Sequence, residues 1–225
     1  MKLVRYGSRK QEKPGIIDSN GSLRDLSSKI DDINAEALSS EGQEKLQSVN
    51  LNELALVDNR ELRLGVPIAN IGKVVCIGLN YVDHAKETGS PIPSEPIMFM
   101  KPTSSLNGPN DEVVLPRSIT LSQTGNENEN SFKESEQSDW EVELGVVIGE
   151  EARSVSVSSA LKYVAGYTVV NDVSEREYQL NAAGGQWIRG KGCDTFCPVG
   201  PWLVTKDEIN DPQNIDVWLD VNGER

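Results

Sequence analysis

At 225 residues the chain is long enough for one large domain, or for a small domain followed by a medium one. Its formal net charge of −13 argues against nucleic acid, whose phosphates need clustered Lys and Arg, and against docking on anionic lipid. A hydrophobic content of 37% supports a core, yet no apolar run approaches the ~20 residues that span a bilayer, so a cytoplasmic protein that contacts neither nucleic acid nor membrane is expected.

In chain order, "KLVRYG" reads as a strand, and the N-terminus lacks the apolar stretch of a secretory leader. "PGIIDSNGSLRDL" reads as a hairpin around Asn20–Gly21, a strong two-residue turn signal. "DDINAEALSSEGQEKLQ" looks helical. These elements suit a small N-terminal domain over 1–65.

A second domain, 72–225, opens at "GKVVCIGLN", a continuous apolar run of the kind found in buried strands. "YVDHAKE" reads as a short helix, "GSPIPSEP" as irregular, and "IMFMKP" and "EVVLP" as strands. The segment 118–138 is Asn/Glu/Ser-rich without periodicity and is expected to be a mobile surface loop inserted in the domain. "SVSSALKYVAG" and "SEREYQLNAAGG" read as helices, and "YTVVND", "PWLVT" and "IDVWLDV" as strands. Asn222–Gly223 is again a hairpin turn with almost nothing after it, which implies a missing return strand and a C-terminally truncated chain. Three cysteines fit reduced thiols better than a disulfide framework. Cys193 and Cys197 are spaced like a metal half-site, but with one His in the chain and no second Cys/His pair, structural thiols are expected over zinc.

The chemistry concentrates in "SDWEVELGVVIG". Glu141 and Glu143 lie two apart on a strand, so they share a face with Cα atoms roughly 6.5–7 Å apart. Trp140, Val142, Leu144, Val146 and Ile148 take the other face, which is expected to bury. Two like charges so close repel, more strongly as water is removed, and something positive should sit between them. Asp172, where "YTVVND" hands over to a helix, offers a third carboxylate. Three carboxylates with no His or Cys nearby in sequence favour Mg²⁺ or Mn²⁺ over zinc. The wet face of an amphipathic strand would show the same two-residue spacing.

His84 lies three residues before Glu87, so on a helix the two side chains share a face. A carboxylate beside an imidazole raises its pKa and fixes its tautomer, as a general base requires. An ordinary surface His–Glu pair has the same spacing. A short helix between irregular segments could also be a mobile lid.

The stretches "KVVCIGLNYVDHAKE", "EPIMFMKPTSSLNGPNDEVVLP", "DWEVELGVVIG", "YVAGYTVVNDVSEREYQ", "QWIRGKGCDTFCPVGPWLVT" and "VNGE" resemble the fumarylacetoacetate hydrolase family in its small bacterial-type branch, over most of residues 73–225. The leading "MKLVRYG…QEKPGIID" looks like the small N-terminal domain of members acting on sugar-derived diketo acids or of ureidoglycolate lyases. The resemblance implies an α+β fold, a mixed β-roll of the fumarylacetoacetase C-terminal type, with a divalent metal held by Glu141, Glu143 and Asp172. It implies a His84–Glu87 dyad on a lid helix, Lys191 near the metal, and Arg176 and Gln179 facing substrate, with Tyr81 as a further substrate-side position. Two departures stand out: the insert at 118–138, and the absence of the family's Gly/Thr-rich "TGTP"-type loop.

The expected activity is therefore Mg²⁺- or Mn²⁺-dependent hydrolysis of a C–C bond in a small 2,4-diketo acid, in catabolism, by a homodimer. A lyase, decarboxylase or isomerase of the same family, or an inactive truncated roll, is the alternative.

Overall fold

The computed structural model describes residues 1–58, 62–120, 131–181 and 184–225. Strand β1 (Lys2–Tyr6) runs antiparallel to β2 (Lys13–Ile17), which turns back into β3 (Leu23–Asp25) at the expected Asn20–Gly21. Asp18 closes that turn: its Oδ1 accepts the backbone N–H groups of Asn20 and Ser22, both at 2.9 Å. Gly21 takes φ +79°, a conformation a Cβ disfavours.

The single helix expected after the hairpin is two. Helix α1 (Ala35–Leu38) starts on Asn34, whose side chain accepts from the Ala37 N–H, and α2 (Ser40–Gln47) starts on Ser39, whose hydroxyl accepts from the Gly42 N–H. Ser39 is extended and caps the second helix, the competition by which a serine interrupts helical continuation.

Strand β4 (Val74–Gly78) is followed by helix α3 (Val82–Glu87) and by β5 (Ile97–Lys101), which pairs back on β4 in a two-stranded sheet of their own. The apolar run of β4 suggested a buried strand; instead Val75 is 52% exposed and the other four residues are half-buried. With only each other as ladder partners among the described residues, the two strands bury neither face fully, and Lys101 is the one buried residue of β5.

After β6 (Leu106–Asn107), "EVVLP" forms no strand. The segment expected to be a loop is paired at its ends, β7 (Arg117–Thr120) against β8 (Ser131–Glu134), with Arg117 and Glu134 joined across the pair at 2.6 Å; residues 121–130 of that expectation lie outside the described residues. Next come β9 (Ser138–Asp139), β10 (Val142–Ile148), β11 (Val164–Asn171), β12 (Ser174–Glu175), α4 (Ile188–Lys191) and β13 (Cys197–Thr205). "SVSSALKY" forms 3₁₀ turns rather than an α-helix, and "EYQLN" a π-helical turn. "IDVWLDV" alternates as a strand would, but among the described residues no neighbour offers it a ladder; only Val221 and Glu224 bridge, around the expected Asn222–Gly223 turn.

The main sheet has seven strands in the order β10-β11-β13-β1-β2-β3, with β6 parallel beside β13. Residues 1–65 therefore do not carry a sheet of their own: β1 pairs with β13, Leu3 opposite Leu203. One face of this sheet is covered by α1 and α2, giving a core of Leu3, Ile16, Leu38, Leu46, Ala165 and Leu203 with their neighbours. The result is the α+β mixed-sheet fold the sequence suggested. No helix among the described residues is long and apolar enough to cross a membrane.

Leu203 is fully buried in that core, so Leu203→Ala should lower the unfolding free energy by about 2–5 kcal/mol in urea titration. Val157, 95% exposed, is the control: its replacement by Ala should change stability by about 0.5 kcal/mol or less.

Candidate active site

The site assembles where β10 and β11 end together. Val142 lies opposite Asn171, Glu143 opposite Val170, and the Asp172 N–H donates to the Glu141 carbonyl at 2.9 Å. This antiparallel register brings Asp172 beside Glu141 although thirty-odd residues separate them in sequence. The Asn171 side chain accepts the Glu141 N–H at 3.1 Å and fixes the turn-in of the strand. The opposite face of β10 was expected to bury, but Trp140, Val146 and Ile148 are each about half exposed. β10 is an edge strand, and on that face only Val142 and Leu144 are partly buried.

The positive group expected between Glu141 and Glu143 sits instead between Glu141 and Asp172. The ammonium of Lys191, buried at the end of α4, lies 2.9 Å from each Oε of Glu141, 2.9 Å from Asp172 Oδ2 and 2.8 Å from Ser174 Oγ. It also lies 5.2 Å from the centroid of the Phe99 ring. A second buried ammonium, Lys101, approaches Asp172 from the far side at 2.6 Å from Oδ1. Arg176 adds a third cation: its guanidinium donates to Glu141 Oε1 at 2.6 Å and to the Gln179 side-chain carbonyl at 3.0 Å. Asp139 holds the other edge of that guanidinium at 2.7 and 2.9 Å. Glu141, Asp172, Lys191, Arg176 and Gln179, all singled out in the sequence, are thus one connected cluster.

Among the described residues Glu143 forms no ion pair, although the charge of Lys191 acts on it. Burial, and then repulsion from Glu141, push its carboxyl from the ordinary 4.5 up to about 7. Its hydrogen bond comes from the Tyr81 hydroxyl, whose oxygen also accepts the Leu144 N–H at 3.2 Å. Tyr81 stands at the N-terminus of α3, so it ties the His84 helix to the carboxylate strand. On α3 itself His84 is half-buried and Glu87 exposed, and neither side chain has a hydrogen bond or ion pair among the described residues. A cavity of about 250 Å³ lies beside this helix, walled by Ile77, Leu79, Val82, Ile92 and Pro96 among others.

The donor set around Lys191 is made of hard oxygens, the kind that suits Mg²⁺ or Mn²⁺. Among the described residues no three Asp, Glu, His or Cys side chains form a ready-made ligand cage. The match to a divalent cation therefore lies in the donor chemistry and in the unmet charge on Glu143. Three contributors escaped the sequence reading: Lys101, Ser174 and Asp139. An ammonium at the end of the apolar strand "IMFMK" was the one available hint.

Buried acidic and basic side chains gathered at paired strand ends make a polar site of the size and chemistry that a small molecule would fit. Residues 73–225 match the family described as fumarylacetoacetate (FAA) hydrolase C-terminal, and the chain belongs to that family. It is 55% identical over 225 residues to a 2,4-didehydro-3-deoxy-L-rhamnonate hydrolase of Sphingomonas sp. (strain SKA58), covering all of this chain and 71% of the relative. Among solved structures it is similar to maleylpyruvate hydrolase from Sphingobium sp. SYK-6 in complex with manganese(II) and pyruvate, with TM-score 0.69 and 26% identity over 94% of this chain and 70% of that one. It is also similar to 5-carboxymethyl-2-hydroxymuconate delta-isomerase from Mycobacterium smegmatis, with TM-score 0.59 and 29% identity over 91% and 66%.

Because Glu143 is proton-loving in the folded, metal-free protein, its protonation stabilises the fold. That contribution is full below about 4.5 and is lost as pH rises through about 7. Glu143→Gln should therefore gain on the metal-free wild type in thermal midpoint as pH goes from 5 to 8. A difference between the two that stays constant across this range would contradict the assignment.

Proposed function

We propose that this enzyme hydrolyses a C–C bond in a 2,4-diketo acid, acylpyruvate-like or derived from a sugar acid, with Mg²⁺ or Mn²⁺ held by Glu141, Glu143 and Asp172. The observation that carries this reading is the convergence of Glu141 and Asp172 on one cationic focus, with Glu143 on the same strand short of a positive partner. A divalent cation bound there would act as a Lewis acid toward the oxygens of the keto acid. The named relatives that hydrolyse a didehydro-deoxy sugar acid and maleylpyruvate support the substrate class.

The remaining work falls to this chain's own side chains. Arg176, held from behind by Asp139, and Gln179 next to it present polar groups for the substrate's carboxylate and carbonyl oxygens. Lys191 places positive charge where negative charge grows on oxygen as the bond breaks. His84, with α3 closed over the site and Glu87 as its orienting carboxylate, takes a proton from water. The hydroxide adds to the distal carbonyl, the C–C bond breaks, and its electron pair moves onto the neighbouring keto group as an enolate. That enolate is then protonated, so water is consumed and two acids result. Tyr81 holds α3 to the carboxylate strand and in this way brings His84 to the site.

Isomerisation is the second reading, supported by the likeness to a delta-isomerase. It needs the same enolate but no attacking water.

A panel of 2,4-diketo acids and dienedioates, assayed with product analysis, separates the two readings. Hydrolysis is expected, lost with chelator and restored by Mg²⁺ or Mn²⁺. His84→Ala should remove turnover and keep cation binding. Glu141→Gln should weaken Mn²⁺ binding in calorimetry by more than the roughly 10–100-fold that loss of an outer-sphere partner costs. Unchanged hydrolysis in His84→Ala, or unchanged Mn²⁺ affinity in Glu141→Gln, would defeat the assignment.

A further inference from the structure

Lys101 is a buried cation to which the proposed reaction assigns no role. Its side chain is 1% exposed, and it is the one buried position of β5. Its ammonium donates to three acceptors on two separate pieces of chain: Asp172 Oδ1 at 2.6 Å and the Val173 carbonyl at 3.1 Å on one, and the carbonyl of Lys191 on the other. An ammonium has three N–H donors, so all are used. Taking such a charge out of water is costly, and an apolar side chain of similar volume often serves stability as well. What an apolar side chain cannot do is fix the directions of three acceptors at once.

Those directions matter. Asp172 has its two oxygens divided between two lysines, Oδ1 facing Lys101 and Oδ2 facing Lys191. With Oδ1 bonded to Lys101, rotation of the carboxylate would break that bond, and a single oxygen faces Lys191. The bond to the Lys191 carbonyl fixes the last turn of α4, which carries the cluster's other ammonium. The β4–β5 hairpin, which bears His84 between its strands, meets α4 in the same place. Phe99 packs edge-on against Trp187 with ring centroids 5.5 Å apart. Gly78 lies so close to the Trp187 ring that a Cβ there would collide with it.

We propose that Lys101 is a positioning residue with two effects. It orients Asp172 to offer one oxygen, and it sets the His84-bearing hairpin in register on the helix of Lys191. This rests on the reading that Asp172 is a ligand of a divalent cation.

Lys101→Met removes the charge and keeps the volume. Mn²⁺ affinity measured by calorimetry should fall roughly 10–100-fold, the usual cost of losing a partner that orients a ligand. A crystal structure of the variant should show Asp172 turned, with both oxygens toward Lys191. Wild-type affinity with Asp172 unmoved would overturn the proposal. Lys101→Arg keeps the charge, but a planar guanidinium cannot place one nitrogen on three acceptors. It should fold and show the same loss of affinity, and it decides the matter alone if the Met variant does not fold. Full Mn²⁺ affinity in Lys101→Arg would show that charge alone suffices, and would also overturn the proposal. If the wild type itself binds no Mn²⁺, the metal reading fails separately. The orientation of Asp172 in the variant crystals then decides for Lys101: turned upholds its role, unmoved rejects it.

Discussion

The structure around the site depends on compensating like charges in a place with little water. Glu141, Glu143 and Asp172 arrive there because two antiparallel strands end in register, and the backbone cannot separate them. At short range and reduced dielectric their mutual repulsion is large. Lys191, Lys101 and Arg176 offset it from three sides, and all three come from elements that would otherwise have little reason to meet. Glu143 shows the result of burial first and repulsion from Glu141 second: its carboxyl holds its proton up to about 7.

The cluster also anchors the β4–β5 hairpin. The β4–β5 hairpin shares no ladder with the main sheet and leaves much apolar surface exposed. It is held by the Phe99–Trp187 contact, by the close approach of Gly78 to Trp187, and by the ammonium of Lys101. Tyr81 adds a fourth tie on the strand side, at Leu144 and Glu143. Each tie ends on the carboxylate strand, on the helix of Lys191 or at the end of β11. Placement of α3, and with it His84, is therefore coupled to the charge cluster rather than to the hydrophobic core.

Much of this was legible locally. A two-residue period put Glu141 and Glu143 on one face, the Asn20–Gly21 turn fixed the β2–β3 hairpin, and charge alone called for a cation beside Glu141, though its partner there is Asp172 rather than Glu143. What was not legible depends on partners distant in sequence. Lys101 reaches Asp172 and Lys191 across 71 and 90 residues, and no period in "IMFMKP" distinguishes a buried lysine from a solvated one. The burial expected for β4 and for the outer face of β10 failed for a related reason. Apolar alternation says which residues share a face, and only neighbouring chain decides whether that face is covered. "EVVLP" and "IDVWLDV" have strand patterns without strands because a ladder needs a second backbone.

Stability alone does not account for the cluster. Buried ion pairs roughly break even against well-packed apolar residues, and a domain with this sheet and core could close its strand ends with Leu and Val at lower electrostatic risk. The arrangement instead keeps opposite charges within hydrogen-bonding distance while one carboxylate remains under-compensated. That imbalance favours the arrival of further positive charge. A divalent cation would relieve the repulsion on Glu143 and compete with Lys191 for Glu141 and Asp172, leaving the ammonium available to a negatively charged substrate. On the proposed reading, binding of a cation and of an anionic substrate would reinforce one another, because each would neutralise the charge that the other leaves exposed.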